Sequence, residues 1–115
     1  MKDEIRKYLF DILQAAEEIQ NFIHKMDLNT YRKSLVTQRA VERDFEIIGE
    51  SLNRIKKFDD EFIEKISEHR RIIGFRNILI HGYDTVDEVI VWKAIVNHLP
   101  ILVKEINEIL GMTDS

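Results

Sequence analysis

The sequence predicts an all-α fold, a four- to five-helix up-and-down bundle. Three observations carry that reading. Apolar residues recur in alternating steps of four and three, the period that puts them on one face of a helix. Only four glycines and one proline interrupt 115 residues, too little punctuation for a series of hairpins. Between the apolar stripes stand Asp, Asn, Ser and Thr, whose side chains bond the free N–H groups at helix starts.

The first stripe is Ile5, Leu9, Ile12, Ala16, Ile19, Ile23 and Met26, predicting a helix over about residues 3 to 26. Asp27-Leu28-Asn29-Thr30 supplies stop and cap chemistry, and a short turn or helix around Tyr31 and Ser34 follows. The second long helix carries Val41, Phe45, Ile48, Leu52 and Ile55. Gly49 lies inside it at a cost near 1 kcal/mol relative to Ala, so close approach of another backbone is expected there. Asp59 or Asp60 caps a brief helix holding Phe62 and Ile66.

A third substantial helix spans about Glu68 to His81. It is apolar enough (Ile72, Ile73, Phe75, Ile78, Leu79, Ile80) to be buried on more than one side, with Gly82 ending it. Thr85-Val86-Asp87-Glu88 reads as a capping box that opens a helix through Val89, Trp92, Ile95, Val96 and Leu99. Pro100 lacks a backbone donor and clashes with the preceding turn, which predicts a kink or break. Beyond it Leu102, Val103, Ile106, Ile109 and Leu110 continue the stripe until Gly111 stops it. One domain over 1–111 and a frayed tail over 112–115 are expected. The predicted core includes Ile12, Ile19, Phe45, Ile48, Leu52, Ile78, Val96 and Leu99.

Composition narrows the function. Hydrophobic residues make up 44% and charged residues 33%, the balance of a water-soluble domain. Without cysteine there is neither a disulfide framework nor a thiolate nucleophile or metal ligand. Acidic residues in Met1-Lys2-Asp3-Glu4 do not make a signal-peptide start, and no apolar run is long enough to span a bilayer. The chain is therefore expected in the cytoplasm. Its net charge is −4, yet Lys65, Arg70, Arg71 and Arg76 against Glu68 give the stretch from 65 to 83 a charge of +3, leaving −7 on the remainder. A local basic patch on an acidic body suits a confined anion site better than a general nucleic-acid coat.

Polar chemistry concentrates in Arg76-Asn77-Ile78-Leu79-Ile80-His81-Gly82-Tyr83. Asn77 and His81 are four apart and share a helix face. Arg76 and His81 are five apart, about 140° around an ideal helix, so they can share a cleft at its end but not one narrow stripe. The set suits phosphodiester cleavage by an internal hydroxyl. A neutral imidazole with a reference pKa near 6.5 can take the proton of a ribose 2′-hydroxyl. Arg76 offers a fork of donors that matches phosphate oxygens and stays charged as negative charge develops. Asn77 can orient the imidazole or bond substrate, and Tyr83 offers a hydroxyl or a stacking face. The competing reading is structural: an arginine paired to a carboxylate and a histidine favoured at a helix C-terminus.

The pattern Arg-x4-His-x-Tyr, here Arg76, His81 and Tyr83, resembles the signature of the HepT branch of the HEPN superfamily. Similar stretches run in order along nearly the whole chain: Tyr8 to Leu13, Ala40 to Glu50, Val91-Trp92 and Leu99-Pro100. After the tyrosine, Asp84-Thr85 departs from the family's usual Phe-Gly. The resemblance implies a homodimer in which Arg76 and His81 of both chains line one cleft. It implies a metal-independent endoribonuclease without cofactor, the toxin of a type II/VII-like toxin–antitoxin pair. It also implies a partner antitoxin, a small MNT-type nucleotidyltransferase that attaches AMP to Tyr83.

Other candidates read more plainly. His24, His69 and His98 lack metal spacing, and His69 beside Arg70-Arg71 would at most touch RNA. Arg39, Arg43, Glu46 and Glu50 form a polar stripe that is first of all a solvated face with intrahelical ion pairs. A second reading has Arg43, Glu46 or Glu50 supporting the catalytic cleft. Trp92 belongs to the core or an interface. Two rival functions remain, a non-catalytic substrate-binding subunit of a small nucleotidyltransferase and a regulatory dimer with a decayed site. Retention of both Arg76 and His81 favours the enzyme.

Overall fold

The computed structural model describes residues 1–82 and 87–114, with side chains as far as Gly111. Helix α1 spans Asp3–Phe22, with Asp3 and Glu4 in its first turn, where the helix dipole favours negative charge. It ends earlier than the stripe suggested. Ile23 caps it, and Lys25 turns the chain out of helix at φ 64°.

That turn delivers Asp27 to cap α2, Leu28–Lys33. Asp27 Oδ1 accepts from the Thr30 N–H at 2.9 Å, and Thr30 Oγ1 accepts from the Asp27 N–H at 2.9 Å. Ser34 then caps α3, Leu35–Phe58, its hydroxyl accepting from the Thr37 N–H at 3.3 Å. Asp59 Oδ1 accepts from the N–H groups of Glu61 and Phe62, opening a 3-10 turn over Phe62–Lys65.

Helix α4 runs His69–His81. Asp87 caps α5, Glu88–Lys93, accepting from the Val89 N–H at 2.9 Å. The Thr85 end of the expected capping box lies outside the described residues. Ala94–His98 forms a π-helical turn that leads directly into α6, Leu99–Asp114. Pro100 therefore does not break the helical path. In the wider turn the Leu99 N–H bonds to the Ala94 carbonyl, and the proline enters α6 in its first turn, where a missing donor costs nothing. Gly111 likewise lies within α6 and does not stop it.

Among the described residues there is no strand, and all of the packing is helix on helix. The α1 and α3 stripes face each other along most of their length. Ile5, Leu9, Ile12 and Ile19 from one helix, and Val41, Phe45, Ile48, Leu52 and Ile55 from the other, are almost wholly buried. Helix α4 lies on the other side of α3, where Phe75 meets Phe45 edge to face at 5.2 Å. The short α2 packs on α5 through Tyr31 and Trp92, 5.3 Å apart. Trp92 is thus partly buried core.

Two expected core residues are not core. Ile78 is 60% exposed and Val96 52%. Only Ile72, Phe75 and Leu79, with His69, are buried on α4, so within one chain that helix is covered on one side only. A groove of about 470 Å³ separates it from α5 and the π turn. Ile72, Phe75, Ile78 and Ile90 line it together with Arg70, Arg71 and Lys93. No helix of the described residues is long and apolar enough to cross a membrane.

Candidate active site

Arg76 leaves α4 toward α3, and glycine makes that possible. A Cβ placed on Gly49 would overlap the Arg76 Cβ and stand 2.7 Å from its Cγ. The close approach expected at Gly49 is therefore made by the arginine side chain, not by backbone. With its stem laid across Gly49, the guanidinium reaches one residue along α3 to Glu50. Arg76 Nη2 donates to Glu50 Oε2, and Nη1 donates to Asn77 Oδ1 at 3.0 Å. Its Nε is buried without a partner. Only 22% of the side chain is exposed, so the cation is held in one place rather than sampling solvent.

Glu50 is shared. Its other oxygen, Oε1, accepts from Arg54 Nε at 3.0 Å. Arg54 is held charged, its pKa raised first by Tyr8 and then by Glu50. One carboxylate thus bridges arginines of two helices, and Tyr8 of α1 touches the same chain of contacts. Of the polar stripe on α3, Arg39 pairs with Glu42 and Arg43 with Glu46 on the surface. Glu50 alone pairs with the candidate catalytic arginine, and Arg43 and Glu46 line the hollow beside it. The stripe carried no mark that would separate Glu50 from Glu46. The available signal was the glycine immediately before it.

His81 is the last residue of α4 and is exposed. The helix stops there because Gly82, whose N–H still makes the last i→i−4 bond to the Ile78 carbonyl at 2.7 Å, turns extended at ψ 107°. Gly82 keeps a negative φ of −75°, so it is needed for space rather than for a left-handed turn: a Cβ would lie 2.6 Å from that same carbonyl. Asn77, also exposed, is bonded to the arginine and not to the imidazole. In a single chain the hollow beside Arg76 extends to Ile80, and His81 does not line it. Tyr83 lies outside the described residues.

The remaining histidines read as structural. His69 is buried, its Nε2 3.6 Å from Glu64. His98 Nδ1 sits 3.0 Å from Glu68. His24 is exposed, just beyond α1. Among the described residues no three histidine or carboxylate side chains stand close enough to hold a metal ion.

One buried acid was not foreseen. Asp44, 3% exposed between α1 and α3, has its carboxyl pushed up to about 7, first by burial and then by the neighbouring Glu18. The pair makes a carboxyl-lined hollow, with Asp11, directly beside the arginine cleft.

The arrangement offers a fixed cation with an exposed imidazole one turn away, on a helix whose outer face is apolar. Comparison with known proteins agrees with that chemistry. The family model described as ribonuclease HepT-like matches residues 12–109. "Probable ribonuclease HepT" of Thermococcus cleftensis is 33% identical over 102 residues, covering 89% of this chain and 92% of its own. "Putative RNase TTE0752" of Caldanaerobacter subterraneus is 37% identical over 107 residues, covering 91% and 93%. "Putative RNase MJ0127" of Methanocaldococcus jannaschii is 33% identical over 111 residues, covering 95% and 89%. No solved structure matches.

Proposed function

The chain belongs to the HepT-like ribonuclease family of the HEPN superfamily, and from that membership we propose that it is a metal-independent endoribonuclease whose site two copies complete. Its biological role in this reading is the toxin of a type II/VII-like toxin–antitoxin pair acting in the cytoplasm. The observation that carries the chemistry is Arg76 locked between Gly49 and Glu50 on the helix that ends at exposed His81.

In the proposed reaction the neutral His81 imidazole takes the proton of a ribose 2′-hydroxyl. The 2′-oxygen attacks the adjoining phosphorus, and the bond to the 5′-oxygen breaks. That oxygen leaves with a proton from an imidazolium, giving a 2′,3′-cyclic phosphate and a 5′-hydroxyl. Arg76 holds the non-bridging oxygens while charge builds on them. Incubation of the purified protein with total RNA and with tRNA, beside a His81→Ala control, tests the reading. Cleavage by the wild type alone is expected. Intact RNA in both samples would turn the assignment to a non-catalytic partner subunit of a small nucleotidyltransferase.

Two features support the homodimer. Within one chain Arg76 faces α3 and His81 faces outward, so one copy does not gather both groups around a single phosphate. Beside them Ile78 on α4 and Ile90 across the groove leave an apolar face uncovered. Light scattering at micromolar concentration should return twice the chain mass, and a monomer there removes the composite site.

Control by a cognate MNT-type nucleotidyltransferase follows from the same family reading. The Tyr83 hydroxyl attacks the α-phosphorus of ATP, pyrophosphate leaves, and AMP remains on the ring, two positions past His81 in sequence. The added phosphate competes for Arg76 while its bulk blocks RNA. Tyr31 is a poor rival acceptor, since it is fully buried. Mass spectrometry after incubation with the transferase, ATP and magnesium should find the adduct on Tyr83. An adduct on Tyr8 instead, or none, defeats this part of the proposal.

A further inference from the structure

Resting on the ribonuclease reading above, we propose that the cleft among α1, α3 and α4 seats one nucleotide of a single-stranded RNA. Its base lies against Tyr8, and its phosphate among Lys7, Arg54 and Arg76. The cleft measures about 370 Å³, within the roughly 300–1,000 Å³ of small-ligand pockets. It opens directly beside the candidate catalytic arginine, so a nucleotide in it is the one next to the phosphate being cut.

Its walls supply both halves of a nucleotide's chemistry. Tyr8 is partly buried against the core and still lines the cleft, with Ile47 and Ile80 as apolar neighbours. The Lys7 ammonium already lies 5.3 Å from the centre of the Tyr8 ring. An aromatic ring with cations around it is the combination that binds single strands without demanding a particular base.

The cations are available for exchange. Lys7 pairs with Asp11 at 3.2 Å and Arg54 with Glu50 at 3.0 Å, but their side chains are 71% and 57% exposed. Such surface pairs are weak and give way readily to a phosphate. Arg76 is the fixed member and the others are movable around it. At the far end the cleft meets the hollow of Glu18 and Asp44, sharing Asp11 and Ile47 with it. The groove between α4 and α5 belongs instead to the face assigned to the second copy.

The first test uses an RNA octamer that is 2′-O-methylated throughout, so that it cannot be cut, and carries a single 4-thiouridine. After irradiation the adduct should map to the segment of α1 holding Tyr8, in the wild type and in His81→Ala alike. The second test is kinetic. Tyr8→Leu, which keeps the apolar packing and removes the ring, should raise KM by about 10-fold or more while kcat stays within about threefold. Tyr8→Phe keeps the ring and loses only the hydroxyl's contact with Arg54, so it should raise KM less than Tyr8→Leu does. If Tyr8→Leu fails to fold, Lys7→Ala at its exposed position should raise KM and flatten the salt dependence of binding. A Tyr8 adduct without cleavage by the wild type would sink the ribonuclease reading and leave the subsite standing. Cleavage with the adduct confined to α4 and α5, or with KM unchanged in Tyr8→Leu, overturns the subsite alone.

Discussion

His81→Ala and Arg76→Ala will each lower RNA cleavage by about 100-fold or more, the range in which a general base or an oxyanion donor contributes. Neither change should unfold the protein, which makes the loss interpretable. His81 is exposed at a helix end, and replacing such a residue costs within about 0.5 kcal/mol. Removing Arg76 leaves Glu50 still paired with Arg54, so no carboxylate is stranded. Arg76→Lys should recover little activity. An ammonium cannot reproduce a planar fork whose Nη atoms bond Glu50 and Asn77 at once. The wild-type reaction should persist in EDTA and leave 2′,3′-cyclic ends. Products with a 5′-phosphate, or a strict need for a divalent ion, would falsify the mechanism.

Gly49→Ala will be about as damaging, although the residue touches no substrate. On propensity alone alanine improves an interior helical position by about 1 kcal/mol. Here its methyl group would meet the Arg76 stem, with Cγ 2.7 Å away and Cβ closer still. Those atoms sit next to the α4 backbone, so they cannot swing aside as the tip of a flexible chain would. Helix α4 must move off α3, and overpacking of this kind costs about 1–3 kcal/mol. The guanidinium then leaves its place over Glu50, and a misplacement of about 1 Å costs on the order of 100-fold in rate. The control is Gly111→Ala, where nothing stands within 4 Å of the new methyl. That variant should melt no lower than the wild type and cleave normally. A Gly49→Ala protein with full activity would mean that the contact with Arg76 does not set the arginine's position.

Much of this molecule is legible without coordinates. The four-three stripes of α1 and α3 determine both helices and the faces they bury, because apolar spacing is a direct consequence of 3.6 residues per turn. Asp27, Ser34 and Asp59 mark element starts by a local bond that each side chain makes to the backbone just ahead. Arg76, Asn77 and His81 stand out as polar groups on an otherwise apolar helix.

What sequence could not decide is what each face meets, since periodicity records that a face is apolar and not what covers it. Ile78 and Val96 have core spacing, yet among the described residues nothing covers them and both are exposed in one chain. Pro100 is disruptive only to an i→i−4 ladder, and the π turn before it removes that ladder. Glu50 and Glu46 are alike along the stripe and become different only when α4 places Arg76 beside one of them. Gly49 was visible as a helix residue that needs a reason. The reason, an arginine from 27 positions further on laid across it, exists only in the packed structure.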